Sequence, residues 1–550
     1  AAALLRDGAV VAIKGLGGYH LACRADDARA CASLRARKHR EDKPFALMAA
    51  DVTAARALVT LSDAEAGLLA SVPRPIVLAA RRADAPVAGA VAPGTAELGV
   101  MLPYTPLHHL LLADVGTALV MTSGNTSDEP IAYHDDDALR RLAGIADAFL
   151  THDRPVHIRT DDSVARVVRG RPLLLRRSRG YVPDSLALPL ACARPVLACG
   201  AELKSTFCVA KEDRAWVGHH IGDLGNLETL VSYTEGIAHF QALFAVAPAV
   251  VAHDLHPDYL STSYALERED VQLVGVQHHH AHLAAVLAEH GCDPAHRAVG
   301  AIYDGTGYGS DGTAWGGELL VGDLTGFARV GSLRAVALPG GDRAAREPWR
   351  MACSWLVAAR GEAVAMPAVF AGQVAPAMWD AVAGLARSGF SAPPTSSMGR
   401  LFDAVAALCG LPPRVTYEGQ AAIALEALAD RDERGEYELT VGADGLLDAR
   451  VTVRAVVADL EAGVSPGVVS ARFHRAVAGA TAQACVVAAD AAGLGTVVLS
   501  GGVFQNRLLL QDTAARLDAV GLRVLLPERL PPNDGGIAFG QAAVAAARTA

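Results

Sequence analysis

Residues 276–282 read Val-Gln-His-His-His-Ala-His, which places four imidazoles within five residues, directly ahead of a helix-like run. If this segment is helical, His278 and His282 project from one face, four residues apart, the spacing at which two imidazoles bind one metal ion. A clustered histidine run can also be a solvated surface or a purification artefact. However, the strand-like segment 298–303 follows and runs into Asp-Gly-Thr-Gly at 304–307, so a carboxylate and a glycine loop come one element later. The pattern favours a metal site.

Composition narrows the class of protein. The chain has 550 residues, a net charge of −10 and 51% hydrophobic residues with few aromatics, which suits several α/β domains. Its nine cysteines form no Cys-x-x-Cys pair, which predicts reduced thiols in a cytoplasmic protein and no zinc ribbon. Neither a signal peptide nor a membrane span is expected, and the acidic balance argues against sequence-independent binding of nucleic acid. The missing initiator methionine and the start in a strand-like run suggest a fragment.

Prolines mark a predicted domain boundary. Residues 183–195 contain three prolines that break helical and strand periodicity. Before this stretch, short β-rich runs alternate with helix-like runs, so we predict an α/β twisted-sheet domain over residues 1–185. The remainder, 186–550, is predicted to form a second domain.

The second domain carries a pattern that occurs twice. Segments 195–210 and 298–321 both read strand, loop, strand, and helical sequence follows each. Such openings fit a duplicated actin-like (ASKHA) ATPase fold with one phosphate-facing hairpin in each half, about 195–295 and 296–550. Two unrelated hairpins would give the same pattern.

Four polar loops stand out in the first domain. Lys14 ends a strand before three glycines, so backbone N–H groups and an ammonium could converge on a phosphate. Segment 35–43 concentrates cations, although a solvated helix face would explain them too. Segment 122–130 offers hydroxyls and an amide, and segment 176–181 carries three guanidiniums that suit a bidentate grip on phosphate or carboxylate.

Two turns near the end of the chain are also candidates. Asp534 lies in a turn that opens a helix, where a carboxylate can face a site, although an N-cap is the commoner use of Asn-Asp there. Residues 499–506 read Leu-Ser-Gly-Gly-Val-Phe-Gln-Asn, a strand, a double glycine and a helix start. This arrangement permits close approach of a ribose or adenine to the backbone, and a tight turn without ligand explains it as well.

The first-domain loops together resemble the YrdC/Sua5 family over about residues 1–181. That resemblance implies ATP binding and formation of an acyl-adenylate from a carbamate-type acid. The sequence departs from the family pattern at Gly124 and Asp128 and in the lysine loop, which points to a subfamily. The nucleotide-binding residues that it implies here are Ser123, Asn125, Arg176, Ser178 and Arg179.

The second domain resembles the Kae/TsaD carbamoyltransferase branch of the actin-like fold. There, an HxxxH pair and later aspartates hold a metal beside nucleotide phosphates. The resemblance carries this metal set over to His278, His282, Asp304 and Asp534. It implies a nucleotide site made of Lys204, Gly305, Thr306, Gly307, Gly399, Glu418, Gly501, Gly502 and Asn506.

Three further motifs accompany this order of domains: Lys-Gly-Leu-Gly-Gly-Tyr-His at 14–20, Ser-Met-Gly-Arg-Leu-Phe-Asp at 397–403 and Tyr-Glu-Gly-Gln-Ala-Ala at 417–422. Together with the domain order, they resemble the HypF family of hydrogenase-maturation carbamoyltransferases. Full-length members also carry an acylphosphatase domain and Cys-x-x-Cys zinc fingers, which these residues do not include. Hydrolysis of carbamoyl phosphate is therefore not expected from this segment alone.

What the HypF resemblance implies is a two-site enzyme. Carbamate from carbamoyl phosphate attacks the α-phosphate of ATP in the first domain, where Mg²⁺ and cations balance the developing charge. A transition metal, Fe²⁺ or Zn²⁺, then assists transfer to the carboxy-terminal cysteine of the partner protein HypE, and an internal channel shields the intermediate from water. The implied catalytic residues are Lys14, Lys38, Arg40, Lys43, His278 and His282.

Other functions remain compatible with this sequence. A tRNA threonylcarbamoyl-adenosine enzyme or a small-molecule O-carbamoyltransferase would use the same pair of domains; the first should show a basic RNA face, and the second usually has the opposite domain order. A non-catalytic actin-like nucleotide sensor, with structural histidines, is the alternative from a different class. The sequence does not choose between possible metals, because imidazoles with carboxylates accept several divalent ions.

Overall fold

The computed structural model describes residues 1–126, 129–361 and 364–550, so Ser127 and Asp128 of the predicted serine loop lie outside the described residues. The first body is a mixed sheet in the order β10-β9-β5-β6-β3-β7-β2-β1-β8, with β4 beside β5. Its strands are β1 (Val11–Lys14), β2 (Tyr19–Arg24), β3 (Ala46–Met48), β4 (Val59–Thr60), β5 (Ile76–Arg81), β6 (Glu97–Met101), β7 (Leu119–Ser123), β8 (Ala148–Leu150), β9 (Val164–Val168) and β10 (Arg171–Arg176). Its helices are α1 (Ala2–Arg6), α2 (Ala28–Arg37), α3 (Val52–Leu58), α4 (Asp63–Ala70), α5 (Pro106–Val115) and α6 (Asp135–Leu142).

The second sheet runs in the order β12-β11-β13-β14. The elements of this half are β11 (Leu186–Ala198), β12 (Cys208–Val217), α7 (Leu227–Leu243), β13 (Val250–Asp254), α8 (Leu260–Leu266), β14 (Gln272–Val276) and α9 (His278–Glu289). The predicted break at 183–195 is wrong in one respect, because Pro189 and Pro195 lie inside β11. The β11–β12 register shifts on either side of Cys192, and prolines are tolerated at such irregular pairing.

The third sheet runs in the order β20-β21-β17-β16-β15-β22-β23, with β18 and β19 attached beside β16. Its strands are β15 (Ala298–Tyr308), β16 (Ala314–Gly322), β17 (Phe327–Leu333), β18 (Val336–Ala337), β19 (Pro394–Thr395), β20 (Thr440–Val441), β21 (Leu446–Asp448), β22 (Thr496–Ser500) and β23 (Arg523–Leu525). Its helices are α10 (Asp342–Arg346), α11 (Pro348–Arg360), α12 (Pro376–Ser388), α13 (Met398–Leu408), α14 (Gln420–Leu428), α15 (Arg450–Glu461), α16 (Pro466–Ala492), α17 (Arg507–Ala519) and α18 (Ile537–Arg548).

The two sheets of the second domain repeat one topology. In each, an antiparallel hairpin is followed by two strands parallel to its first strand: β12-β11-β13-β14 and β16-β15-β22-β23. The predicted pair of strand–loop–strand openings is therefore confirmed as a structural duplication. The chain returns at its end, where α18 packs on α9 and Gln541 exchanges two hydrogen bonds with the backbone of Gly200.

No helix in the described parts of the chain is long and apolar enough to cross a membrane.

The first domain packs directly on the second through a buried arginine. Arg166 on β9 donates to the Glu97 carboxylate at 2.7 Å and to the Gln505 carbonyl oxygen of the second domain at 2.8 Å. Its side chain is nearly enclosed, so its loss leaves the Gln505 carbonyl oxygen without this donor and the Glu97 carboxylate with only the longer Arg507 pair at 3.7 Å.

We expect Arg166→Ala to lower the free energy of unfolding by about 2–4 kcal/mol, because removing one partner of a buried pair leaves the other uncompensated. Arg171→Ala is the matched control: its pair with Glu528 also joins the two domains, but its side chain is 75% exposed, and such pairs contribute about 1 kcal/mol or less. Denaturant unfolding of both variants measures the difference. Equal losses would contradict the assigned role of the Arg166 contact.

Candidate functional site

The predicted histidine helix is present and carries the centre of the site. Helix α9 begins at His278, and the side chain of Gln277 caps it by accepting a hydrogen bond from the His280 backbone N–H at 2.9 Å. His278 and His282 therefore leave the first turn from one face, as the spacing predicted. Their rings are 5.2 Å apart between centroids.

Two aspartates from distant elements complete the cluster. Asp304 lies in β15 and Asp534 begins a 3₁₀ turn, Asp534–Gly536, before α18. His282 Nε2 is 3.0 Å from Asp304 Oδ2 and 3.7 Å from Asp534 Oδ1, while His278 Nε2 is 3.6 Å and 3.8 Å from the same two oxygens. One ligand atom from each residue lies within 4.8 Å of every other.

The donor set fits a divalent transition-metal ion. All four side chains are buried, and His278 Nε2 has no hydrogen-bond partner among the described residues although it faces two carboxylates. Two imidazoles and two carboxylates match the ligand chemistry of Zn²⁺ and Fe²⁺. The cluster therefore supports a metal site.

The charges of the cluster depend on one another. Burial disfavours a charged His278 ring, but Asp254 and Asp534 outweigh burial and raise the pKa of His278 well above its usual value. Burial and the neighbouring Asp304 carboxylate raise the pKa of Asp534. In contrast, His278 and His282 overcome burial and lower the pKa of Asp304. An acid pair held this close to two imidazoles is an environment that favours a bound cation.

The predicted glycine loop after residue 303 is instead part of β15, which continues to Tyr308 across a register shift. Glycine is needed there for packing: a Cβ on Gly307 would lie 2.6 Å from the His279 ring and 2.7 Å from the His278 ring. On the other side, a Cβ on Gly502 would lie 2.8 Å from Asp304 Oδ1. Both glycines let the backbone close around the cluster.

Several predicted nucleotide residues gather beside the cluster. Lys204 in the β11–β12 loop pairs with Glu418 across the two halves of the domain. A Cβ on Gly399 would lie 3.0 Å from the Cα of Gly305, so α13 begins against the strand that carries Asp304. Arg400, which sequence reasoning missed, pairs with Asp403 at 2.8 Å.

Three of the predicted nucleotide residues have other visible roles. Asn506 caps α17 by accepting from the Leu509 N–H, and its amide lies 2.9 Å from His474 Nε2. Thr306 is exposed and donates to the carbonyl oxygen of Gly305. Gly501 has φ +96° and passes closest to the backbone of Tyr303, which positions the turn beside β15.

In the first domain, two lysines hold the walls of the predicted phosphate site. Lys14 Nζ donates to Asp135 and to the carbonyl oxygen of His152, both at 2.9 Å. Lys38, fully buried at the end of α2, donates to the Ser123 carbonyl oxygen at 2.7 Å and to two oxygens of Asn125. Burial, then Arg40, lowers the pKa of Lys38 well below its usual value.

The remaining cations lie around this wall. Arg40 Nη2 donates to the carbonyl oxygen of Pro44 at 2.6 Å, while Lys43 is exposed. Arg176 ends β10, and the Ser178 hydroxyl next to it is buried. Arg179 is largely buried and pairs with Asp162 at 2.7 Å, so its guanidinium is held by a carboxylate of the same domain.

Family models match the first domain and both halves of the second domain. Family models match the chain at residues 3–178 (described as "Telomere recombination", the Sua5/YciO/YrdC model), at 191–289 ("HypF Kae1-like domain") and at 300–541 ("Carbamoyltransferase, Kae1-like Domain, second subdomain"). Carbamoyltransferase HypF2 of Cupriavidus necator is 44% identical over 99% of this chain and 72% of its own length. The chain belongs to the HypF carbamoyltransferase family. Carbamoyltransferase HypF of Rhodobacter capsulatus is 45% identical over 100% of this chain and 73% of its own length.

Solved HypF structures share the whole fold. The full-length HypF in a phosphate- and nucleotide-bound form superposes with a TM-score of 0.94 at 41% identity, covering 99% of this chain and 71% of that one. The HypF of T. kodakarensis gives 0.93 at 34% identity, covering 99% of this chain and 73% of that one. The protein is therefore a carbamoyltransferase with a role in hydrogenase maturation, and it combines a YrdC-like domain with Kae1-like domains.

The structure of this HypF family member also shows polar groups that sequence reasoning missed. His20 Nε2 lies 2.9 Å from Asp162, and Asp161 precedes it in a segment packed against the glycine loop after Lys14. Burial raises the pKa of Asp161, which lies near Arg176 and Lys43. An Asp-Asp pair at the start of a strand has no distinctive local pattern, so only the fold reveals that it faces the site.

Proposed function

We propose that this protein forms carbamoyl-adenylate in its first domain, residues 1–185, and transfers the carbamoyl group in its second domain, residues 186–550, to the carboxy-terminal cysteine thiol of HypE. The substrates are ATP, with Mg²⁺, and carbamate derived from carbamoyl phosphate. The observation that carries the proposal is the buried four-donor cluster, which lies in a different domain from the lysine-rich wall. The cluster is next to the domain boundary, because Asn533, the residue before Asp534, donates to the Leu175 carbonyl oxygen of the first domain at 3.0 Å.

In the first step, a carbamate oxygen forms a bond to the α-phosphorus of ATP, and the bond to the pyrophosphate oxygen breaks. Negative charge builds on the leaving pyrophosphate, so cations placed beforehand stabilise the transition state. Lys14, Arg40, Lys43 and Arg176 are the cations assigned to these oxygens. Lys38 holds the Ser123–Asn125 loop through its carbonyl oxygens and adds its own charge when ionised.

In the second step, the acceptor thiolate forms a bond to the carbamoyl carbon, and AMP leaves with the electrons of the carbon–oxygen bond. His278, His282, Asp304 and Asp534 would hold a divalent ion that supplies Lewis acidity at this carbonyl. The chain's own groups orient and enclose the reactants. The Lys204–Glu418 pair spans the two halves of the domain next to this site.

Contacts between the domains support transfer of the intermediate from one domain to the other within one chain. Asp42, in the cationic segment of the first domain, accepts from Thr416 Oγ1 and Gln420 Nε2 of the second domain, both at 3.0 Å. Between these two residues lies Glu418, the partner of Lys204. The inter-domain contacts of Asp42 therefore lie in the same segment as the partner of Lys204.

Cations of both domains also converge on one imidazole. Burial, followed by Arg176 and Lys43 of the first domain and Lys204 of the second, lowers the pKa of His220 well below its usual value. A neutral His220 surrounded by three cations would suit the passage of an anionic adenylate. We infer that the intermediate passes between the domains on this cationic side, because carbamoyl-adenylate hydrolyses in water.

Mass spectrometry of the products tests the proposal. We expect carbamoyl-adenylate after incubation with ATP, Mg²⁺, carbamoyl phosphate and an added acylphosphatase, and no threonylcarbamoyl-adenylate after incubation with ATP, Mg²⁺, threonine and bicarbonate. Omitting the acylphosphatase shows whether these residues need a separate source of carbamate. Threonylcarbamoyl-adenylate alone would overturn the proposal and indicate tRNA modification, and a small-molecule acceptor preferred over the thiol would indicate an O-carbamoyltransferase.

A further inference from the structure

A fully buried carboxylate stands behind one of the cluster histidines. Asp254 ends β13 with no exposed side-chain surface, and its Oδ2 lies 2.8 Å from His278 Nδ1. Its other oxygen, Oδ1, accepts a hydrogen bond from the His256 backbone N–H at 2.9 Å. Asp254 lies on the Nδ1 side of the His278 ring, away from the nitrogen that faces Asp304 and Asp534.

The fold fixes this contact from both sides. Strands β13 and β14 are parallel, and Asp254 is in register with Val276, two residues before His278. The carboxyl ends of the two strands therefore bring the aspartate beside the first turn of α9. The Thr262 hydroxyl donates to the Asp254 carbonyl oxygen at 3.2 Å and ties α8 to the same point. The backbone of Asp254 is therefore fixed at this point, and the His256 N–H and the His278 ring hold the two oxygens of its carboxylate.

The chemistry of the pair sets the tautomer of the imidazole. An ionised carboxylate only accepts hydrogen bonds, so His278 Nδ1 must carry the proton that it donates to Asp254. With Nδ1 holding this proton, Nε2 is the nitrogen whose lone pair is available once a metal ion displaces the second proton of the charged ring. That atom is buried, lacks a hydrogen-bond partner among the described residues, and lies within 3.6–3.8 Å of the two cluster aspartates.

We propose that Asp254 is the positioning residue of this centre: its carboxylate fixes the tautomer and the angle of His278 so that Nε2 is presented to a divalent metal ion. The inference rests on the metal centre assigned under the proposed function. Histidine ligands that donate their second N–H to a carboxylate bind metal more tightly, and loss of such a partner typically weakens binding about 10–100-fold.

The test is Zn²⁺ binding by the purified full chain after chelator stripping, measured by competition with a chromophoric chelator. Asp254→Asn keeps the size of the side chain but allows the amide to donate to Nδ1 and so favour the wrong tautomer. We expect its dissociation constant for Zn²⁺ to rise about 10–100-fold over the natural protein. Asp254→Glu keeps the charge and is expected to recover part of the loss.

Asp459→Asn is the matched control, because Asp459 also accepts two hydrogen bonds, from Tyr437 and Arg472, but lies in α15. It should bind Zn²⁺ like the natural protein. Visible absorption of the Co²⁺ forms reports ligand geometry independently of affinity, and we expect altered d–d bands for Asp254→Asn only. Circular dichroism of the metal-free proteins identifies a variant that fails to fold, in which case Asp254→Glu decides.

Zn²⁺ binding by His278→Ala distinguishes an error in the metal centre from an error in the role of Asp254 alone. If the natural protein binds Zn²⁺ and His278→Ala abolishes that binding, the metal centre stands; unchanged affinity and unchanged Co²⁺ bands in a folded Asp254 variant would then overturn the role of Asp254 alone. If His278→Ala binds Zn²⁺ as tightly as the natural protein, the centre itself is wrong and the inference falls with it.

Discussion

Replacing His278 by alanine is expected to lower carbamoyl transfer to a thiol by at least about 1,000-fold, while the rate of the first turnover of ATP-dependent pyrophosphate release stays within about threefold. The histidine belongs to the second-domain cluster, and Lewis-acid stabilisation at a carbonyl contributes several kcal/mol to the transition state, about one decade of rate per 1.4 kcal/mol. The first-domain cations do not depend on it. The measurement is carbamoylation of a peptide ending in cysteine, followed by mass spectrometry, alongside a pyrophosphate assay.

The same helix supplies a control for this substitution. His280 is also buried, but its Nε2 lies 2.7 Å from the carbonyl oxygen of Asp323, on the face away from the cluster. His280→Gln is expected to transfer carbamoyl groups within about threefold of the natural protein. Equal loss in both variants would mean that helix stability, rather than the cluster, limits transfer. Full transfer by His278→Ala would remove the cluster from the chemistry.

Replacing Lys38 by methionine is expected to lower pyrophosphate release by at least about 100-fold. The buried ammonium satisfies carbonyl oxygens of Ser123 and Asn125, and each buried acceptor left without a partner costs about 1–3 kcal/mol, so the loop is expected to leave its position. The change also removes the charge that Lys38 adds to the phosphate site when it is ionised. Initial rates of pyrophosphate release at saturating ATP measure the effect.

Arg37 is the matched control for Lys38, because it is the preceding residue and its pair with Asp147 is partly exposed. Arg37→Ala is expected to release pyrophosphate within about threefold of the natural protein. Release by Lys38→Met at the natural rate would show that the loop needs no buried ammonium, and the first-domain assignment would have to move to other residues.

Local pattern predicted those parts of the site that lie on one element. The four-residue spacing of His278 and His282 sufficed for a shared helix face, and the structure confirms that face. Asp304 and Asp534 are separated by more than 200 residues of chain, and no helical or strand period relates them. Only the resemblance to a known family placed them together. Their convergence comes from the duplicated sheets, which bring β15 and the turn before α18 to the same cleft.

The groups that sequence reasoning missed share a physical reason. Asp254 is a single carboxylate at the end of an ordinary buried strand. Its contact with His278 arises only because β13 pairs in parallel with β14, the strand that precedes the histidine helix. His220 gains its surroundings from both domains at once. The prolines at 183–195 indicate irregular strand pairing. A strand with a shifted register can contain such prolines as readily as a linker can, so they do not by themselves mark a domain boundary.

We propose that one chain makes carbamoyl-adenylate at its first site and uses it at the second site without releasing it. Mixing the Lys38→Met and His278→Ala proteins tests this most directly, because the mixture contains one working copy of each site on separate chains. With ATP, Mg²⁺, carbamoyl phosphate, added acylphosphatase and a peptide ending in cysteine, we expect carbamoylated peptide at less than about a hundredth of the natural rate. Recovery to near the natural rate would contradict the account, because it would show that the adenylate passes freely through water.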